Sequence, residues 1–309
     1  MKAIARAPGK VIVTGEHFVV HGAWALAAAI GRSVTAEAQQ SEKLKVISQN
    51  SGSSSPSALS PVSRLVESMA ERYSFRPSLR IAISSEIPPG AGLGSSAATM
   101  VAVAAAVARL RSLNLGTRRL LESAMVGERA VHGRPSGIDA AVCAYGGVLR
   151  FKPGREPRRI QLGRPARVIV VYSGSSRSTR RLIGRVADVK STMPSYFSAL
   201  SASVGDVSSL AAQRLSDGDM KGLGSLLTFN HAVLSAVGVS TPLLDGLVDL
   251  LISHGCYGAK LTGAGGGGSV LAVAPEGKEK RIISEVSKRG FEAFVSVVPV
   301  EGVRSWLRP

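Results

Sequence analysis

Aromatic residues make up only 5% of this 309-residue chain, cysteines number two, and acidic residues number 21 against 38 lysines and arginines. Each scarcity excludes something. Cys143 and Cys256 each stand alone in an apolar or glycine-rich setting, so they form neither a disulfide framework nor a metal-ligand pattern. The five histidines also lack zinc-type spacing. His17 and His21 are four apart, but no Glu-containing metalloprotease motif surrounds them. No apolar run reaches the roughly 18 residues of a membrane helix. The longest, Ala97 to Ala108, contains Thr99 and stops at Arg109. The N-terminus moves at once into "KAIARAPGK", which is no secretory leader. The expectation is a soluble, cytoplasmic protein.

The shortage of acids leaves a formal charge of +17, which raises nucleic acid as a partner. Against it, the cations are scattered in ones and twos ("TRRL", "STRRLIGR", "EPRRI", "KEKR"). There is no basic tail, no aromatic-interleaved run and no nucleic-acid motif. Attraction to an anionic substrate, or simple solubility, accounts for the charge as well, so neither specific nucleic-acid binding nor a membrane partner is expected. What the chain does have is apolar material: 45% hydrophobic and 19% charged residues, enough for a sizeable core. Its length suits two domains better than one.

Along the chain, "KAIARA" and "KVIVTG" read as strands broken at Pro8-Gly9, followed by strands at "RSVTAEAQ" and "LKVIS". Ser48 to Ser60 reads as a low-complexity loop. A helix from Pro61 to Arg72 places Val62, Leu65, Val66 and Met69 on one face. "LRIAIS" is a strand that feeds a glycine loop, and helices follow over Ser96–Leu110 and Thr117–Val131. After the basic, proline-containing segment 152–165 the pattern restarts. "RVIVVYS" is a buried strand, three helical stretches fill 178–254, and "KLTGAGGGGSVLAVA" reads strand, glycine loop, strand. A helix over 278–289 and the strand "AFVSVVP" follow. Each half is α+β, with the boundary near Arg159, giving domains 1–159 and 160–309. No fixed-period repeat is visible.

The stretch "PPGAGLGSSAAT" puts Gly90, Gly92 and Gly94 directly before a strong helix former, with Ser95 and Ser96 at the helix start. Helix N-termini carry unpaired N–H groups and positive dipole, so such a loop can close its backbone around phosphate. It is neither a P-loop, since no lysine follows the last glycine, nor the dinucleotide fingerprint. Taken alone it is equally well a tight turn with an N-cap serine.

Three further segments change the balance: "APGKVIVTGEHFVVHG" (7–22), "GERAVHGRPSGIDAAV" (127–142) and "KLTGAGGGGSVLAV" (260–273). Four such segments in this order resemble the GHMP kinase superfamily of small-molecule kinases, and the first two together look most like its mevalonate kinase family. The Glu-His pair in the opening segment separates it from phosphomevalonate kinases, the absence of an Arg-Val-Asn type lead-in separates it from galactokinases, and the lysine separates it from homoserine kinases and mevalonate diphosphate decarboxylases. The resemblance implies a two-domain α+β fold, with a ribosomal-S5-like N-terminal domain and a ferredoxin-like C-terminal domain. It implies transfer of the γ-phosphoryl of MgATP to the 5-hydroxyl of mevalonate, a step of isoprenoid biosynthesis. Asp139 matches the family's catalytic aspartate, which takes the hydroxyl proton, and Lys10 its catalytic lysine. Ser96 and Glu128 match the Mg²⁺ ligands, both hard oxygen donors. Ser85 and the loop Gly90, Ala91, Gly92, Leu93, Gly94, Ser95 and Ser96 match the ATP contacts. Lys10, Glu16, His17, Asp139 and, from the second half, Thr179 match the mevalonate pocket. A homodimer stays open.

Each residue also has a plainer reading. Lys10 suits a solvated surface, Glu128 suits an i,i+4 partner of His132, Asp139 a helix-start carboxylate, and 263–268 a hairpin turn. Four coincidences in one order are needed to make all of them plain. The rivals are a related kinase acting on phosphomevalonate or a sugar, a basic nucleic-acid binder, and a catalytically silent relative. Keeping both Lys10 and Asp139 argues against the silent relative, because a pure binder has no need of a base beside a phosphate loop.

Overall fold

A computed structural model describes residues 1–49, 56–175 and 179–309. In chain order the first half contains β1 (Lys2–Thr14), β2 (Ala25–Gln40), β3 (Lys45–Ser48), α1 (Pro56–Arg72), β4 (Leu79–Ser85), α2 (Ser95–Leu110), α3 (Thr117–His132), α4 (Ile138–Tyr145), β5 (Val148–Phe151) and β6 (Arg158–Ile160). The rest contains β7 (Ala166–Tyr172), α5 (Thr179–Thr192), α6 (Pro194–Asp217), α7 (Met220–Ala236), α8 (Pro242–Ser253), β8 (Gly258–Thr262), β9 (Ser269–Val273), α9 (Glu279–Ser287), β10 (Glu292–Val298) and β11 (Arg304–Arg308). Among the described residues, no helix is long and apolar enough to cross a membrane.

Two sheets organise these elements. The first runs β11-β1-β2-β4-β3, with β5 on β2 and β6 on β5; the second runs β10-β7-β9-β8. The long antiparallel pair β1–β2 is the backbone of the first sheet. Here the expectation of two broken strands gives way to one continuous strand. Its register shifts between Pro8 and Gly9, so a bulge absorbs the missing proline donor instead of ending the strand. Glycine is needed beside it: a Cβ on Gly9 would lie 2.8 Å from Ile87 Cδ1 and 2.9 Å from Leu93 O.

Helix α2 is buried from Ala97 to Ala108 except at Thr99, and it packs on β1, β2 and α3. Its alanines are small enough to let backbones approach on every side, which fixes the helix N-terminus against the β1 strand. In the second half, α7 and α8 cover β8.

Several expectations change in detail. Helix α1 begins at Pro56, inside the stretch read as a loop. The three helical stretches of 178–254 are four, because Pro194 opens α6 at its first turn immediately after α5 ends. The segment 152–165 contains β6, and the final residues form β11, which pairs with β1 from Lys2↔Arg308 to Arg6↔Arg304.

Candidate active site

The approach to α2 is built from alternating requirements. Ala91 and Leu93 are 2% and 1% exposed and anchor the loop in the core. Gly90, Gly92 and Gly94 between and beside them take φ of +71°, +71° and +76°, where side chains are strained. Lys10, at the middle of β1, closes onto this loop: its N–H donates to Leu93 O at 2.9 Å and its Nζ to Gly92 O at 2.9 Å. A Cβ on Gly94 would stand 2.8 Å from Lys10 Cγ, so the glycine makes room for the lysine stem. The first intrahelical bond of α2 runs from Ala98 N–H to Gly94 O. The N–H groups before it lie at the positive end of the dipole, the anion-binding geometry. Ser85 closes the turn that leads in, its Oγ donating to Ile87 O and accepting from Ile87 N–H, both at 3.1 Å.

Three acidic or hydroxyl side chains converge near that helix start. Asp139 sits in the first turn of α4, and its Oδ2 lies 3.2 Å from Lys10 Nζ. Lys10 is thus no solvated surface residue: its side chain is only 3% exposed, whereas that of Asp139 is 35% exposed. Glu128, on α3, is buried and accepts a hydrogen bond of 2.5 Å from Ser96 Oγ at the start of α2. Burial pushes the Glu128 carboxyl up; the Ser96 hydrogen bond and the charges of His132 and Lys10 oppose this, and Asp139 adds to it. The buried Cys143 thiol of α4 is pushed up by burial and by Asp139, so no thiolate nucleophile is at hand.

Glu16 and His17 follow the end of β1 and are gripped from the second sheet. Glu16, 1% exposed, pairs with Lys260 of β8, itself 0% exposed. Burial pushes the Glu16 carboxyl up and the Lys260 ammonium down, and their contact works against both shifts. His17, at φ +62°, shares a 2.9 Å hydrogen bond between Nε2 and Ala264 O. Burial lowers its pKa, which favours the neutral ring. The loop 263–268 does more than turn a hairpin, since it packs on the phosphate-type loop. Ser269 Oγ donates to Ala91 O at 2.8 Å, and Cβ atoms on Gly263 and Gly268 would lie 3.1 and 3.2 Å from Gly92 O and Ala91 O.

The structure therefore brings Lys10, Asp139, Ser96, Glu128 and the Gly90–Ser96 loop together, with Glu16 and His17 just past the end of β1. The side chain of Thr179 lies outside the described residues. Lys260 is the residue that sequence reasoning left without a role. Its only signal was a lysine inside the apolar strand "GAKLT".

As a cation site, Ser96 and Glu128 offer two hard oxygens side by side, and no cluster of three or more His, Cys, Asp or Glu ligands occurs among the described residues. That donor set fits a magnesium ion, which takes one or two protein oxygens and completes its shell from phosphate and water; it does not fit zinc or calcium.

Comparison with known proteins identifies the family and the fold. The family described as GHMP kinases N terminal domain matches residues 60–147, and GHMP kinases C terminal matches 209–292. Mevalonate kinase of Aeropyrum pernix is 34% identical, with 98% of each chain covered. Mevalonate kinase of Pyrococcus abyssi is also 34% identical, with 97% of each covered. Among solved structures, L. major mevalonate kinase in complex with R-mevalonate superposes with a TM-score of 0.84 at 27% identity, covering 96% of each chain. Methanococcus jannaschii mevalonate kinase gives 0.83 at 27% identity, covering 96% of this chain and 98% of that one.

Proposed function

The chain belongs to the GHMP kinases, and among them to the mevalonate kinases, and from that premise we propose that it transfers the γ-phosphoryl of MgATP to the 5-hydroxyl of mevalonate. The observation that carries the proposal is the contact of Lys10 Nζ with both Gly92 O and Asp139, which joins a phosphate-type loop to a carboxylate. Phosphoryl transfer needs an in-line hydroxyl, charge neutralisation and a destination for the proton. Asp139, the more exposed partner, accepts the hydroxyl proton. Lys10 donates to the reacting oxygens and stabilises the charge that grows there. The backbone of Gly90, Ala91, Gly92, Leu93 and Gly94, with Ser95 and Ser96, cradles the phosphates, and Ser85 holds the turn that aims this loop. Ser96 and Glu128 would hold the magnesium ion, which when bound would neutralise phosphate charge. Glu16, His17 and Thr179 form the mevalonate pocket.

We assign residues 1–159 to the domain bearing the phosphate loop and 160–309 to its partner, with β11 lent back to the first sheet. The setting is the cytoplasmic mevalonate route to isoprenoids. ADP release measured with mevalonate, phosphomevalonate, homoserine and galactose tests the reading. Mevalonate is expected to exceed every other acceptor by about tenfold or more in kcat/KM, about 1.4 kcal/mol. Equal or better turnover of phosphomevalonate or galactose would assign the chain to a related kinase.

A further inference from the structure

Lys260 and Glu16 form a fully buried ion pair whose partners come from different sheets, β8 and the end of β1. Lys260 Nζ also donates to Leu261 O at 2.6 Å and Ile12 O at 3.5 Å. Two further ties run alongside. Thr262 Oγ1 accepts from Ile12 N–H at 2.8 Å and donates to Ile12 O at 3.0 Å, and His17 is bound to Ala264 O. Three stitches thus join 260–264 to 12–17. Packing alone does not account for the charged one, because a buried ion pair is often no more stable than apolar side chains of similar volume. One atom of the pair is also left over: Glu16 Oε2 is buried and has no hydrogen-bond partner among the described residues. A buried carboxylate oxygen calls for a donor.

We infer that Lys260 is a positioning residue for phosphoryl transfer, holding Glu16 ionised and turned so that its free oxygen accepts a hydrogen bond from a hydroxyl of the acceptor substrate. This rests on the kinase reading above. The substrate it selects carries a second hydroxyl besides the one phosphorylated. The pair sits beside the candidate site through the chain itself, since Glu16 follows the end of β1, the strand that carries Lys10.

The test is Lys260→Met, assayed by steady-state ADP release from pH 6 to 9 with mevalonate and ATP varied separately. The charged groups that act on Glu16 are Lys260 from β8 and Lys10 from β1, with His17, its pKa lowered by burial, next in sequence. Without Lys260, burial protonates Glu16 at the acid end, and the carboxylate returns as pH rises. The KM for mevalonate is therefore expected to rise about tenfold or more at pH 6 and to recover toward pH 9, with the KM for ATP within about twofold of wild type. A purely structural lysine would lower melting temperature or kcat without this pH-dependent KM. If Lys260→Met does not fold, the neutral pair Glu16→Gln with Lys260→Met decides. A mevalonate KM that is raised and flat with pH supports the inference, and a wild-type KM overturns it. A wild-type protein inactive on mevalonate sinks the kinase reading; an active wild type with an unaffected Lys260→Met sinks this inference alone.

Discussion

Lys10 is held from two sides, by the glycine loop and by Asp139, so each of the two charged groups has a separable part in the chemistry. Asp139→Asn keeps the shape and removes the proposed base, a role worth about 10²–10⁴-fold. Lys10→Met keeps the stem and removes a preorganised cation, on the order of 3 kcal/mol. Each is expected to cut kcat by about a hundredfold or more while MgATP binding, measured by calorimetry, is largely retained. In the proposed mechanism both groups act on one hydroxyl, so the double variant is expected to fall well short of the product of the two losses. A folded Asp139→Asn with near-normal kcat would leave positioning alone to explain catalysis. These residues were legible in the sequence because short motifs surround them. Lys260 was not, because its partner lies 244 positions away and a pairing of that range leaves no local pattern.

At the scale of elements, the loop before α2 depends on one backbone conformation. Gly94→Ala imposes a side chain at φ +76° and a Cβ 2.8 Å from Lys10 Cγ. It is expected to weaken MgATP binding and kcat together by at least about tenfold, unlike Lys10→Met, which spares binding. Calorimetry showing unchanged nucleotide affinity would remove the loop from the ATP site. A second junction ties β1, β2 and the turn after β4. Glu86 takes two 2.9 Å hydrogen bonds from Arg6 Nη2 and two of 3.0 Å from Ser33. Burial alone would raise this carboxyl, but the Ser33 hydrogen bonds and the Arg6 charge bring it below its ordinary value. A lowered carboxylate stabilises the fold above its unfolded-state pKa, and that contribution is lost as pH falls through the folded-state value. Glu86→Gln should therefore cost about 1 kcal/mol or less at pH 7, since the pair is half-exposed and screened, and less at an acid pH where the folded-state carboxyl is protonated. Urea melts at the two pH values check it, and an equal cost at both would assign the effect to shape instead of charge. The helices and strands around these junctions were readable from periodicity. The break between α5 and α6 and the bulge at Pro8 were not, since in each case a proline is accommodated by geometry that the pattern alone does not specify.

For the molecule as a whole, local pattern located the two glycine loops but not their contact, which arises only when the second sheet closes on the first. Nor did it find β11, whose "RSWLR" joins β1 from the far end of the chain and leaves Trp306 and Leu307 42% and 43% exposed. Too few buried positions alternate there to mark a strand. The charge of +17 is the remaining global property, and its arrangement is informative. Many arginines and lysines are spent in ion pairs dispersed over both halves, among them Arg6–Glu86, Arg72–Glu122, Arg167–Glu279 and Lys288–Glu285. One local group surrounds Trp24, where Arg150 and Lys152 lie 4.4 and 5.9 Å from the ring centroid, and Lys152, Arg155 and Arg158 line a cavity beside it together with Glu156. Such a group attracts phosphates without reading bases. Binding to a 20-base-pair duplex, followed by fluorescence anisotropy, is thus expected to be weak, indifferent to sequence, and lost between about 50 and 200 mM salt as counterion release dictates. Reversing Arg155 and Arg158 to Glu should remove most of the low-salt binding and leave mevalonate-dependent ADP release unchanged. Selective binding that survives 200 mM salt would show that the charge serves a nucleic-acid partner as well as an anionic substrate.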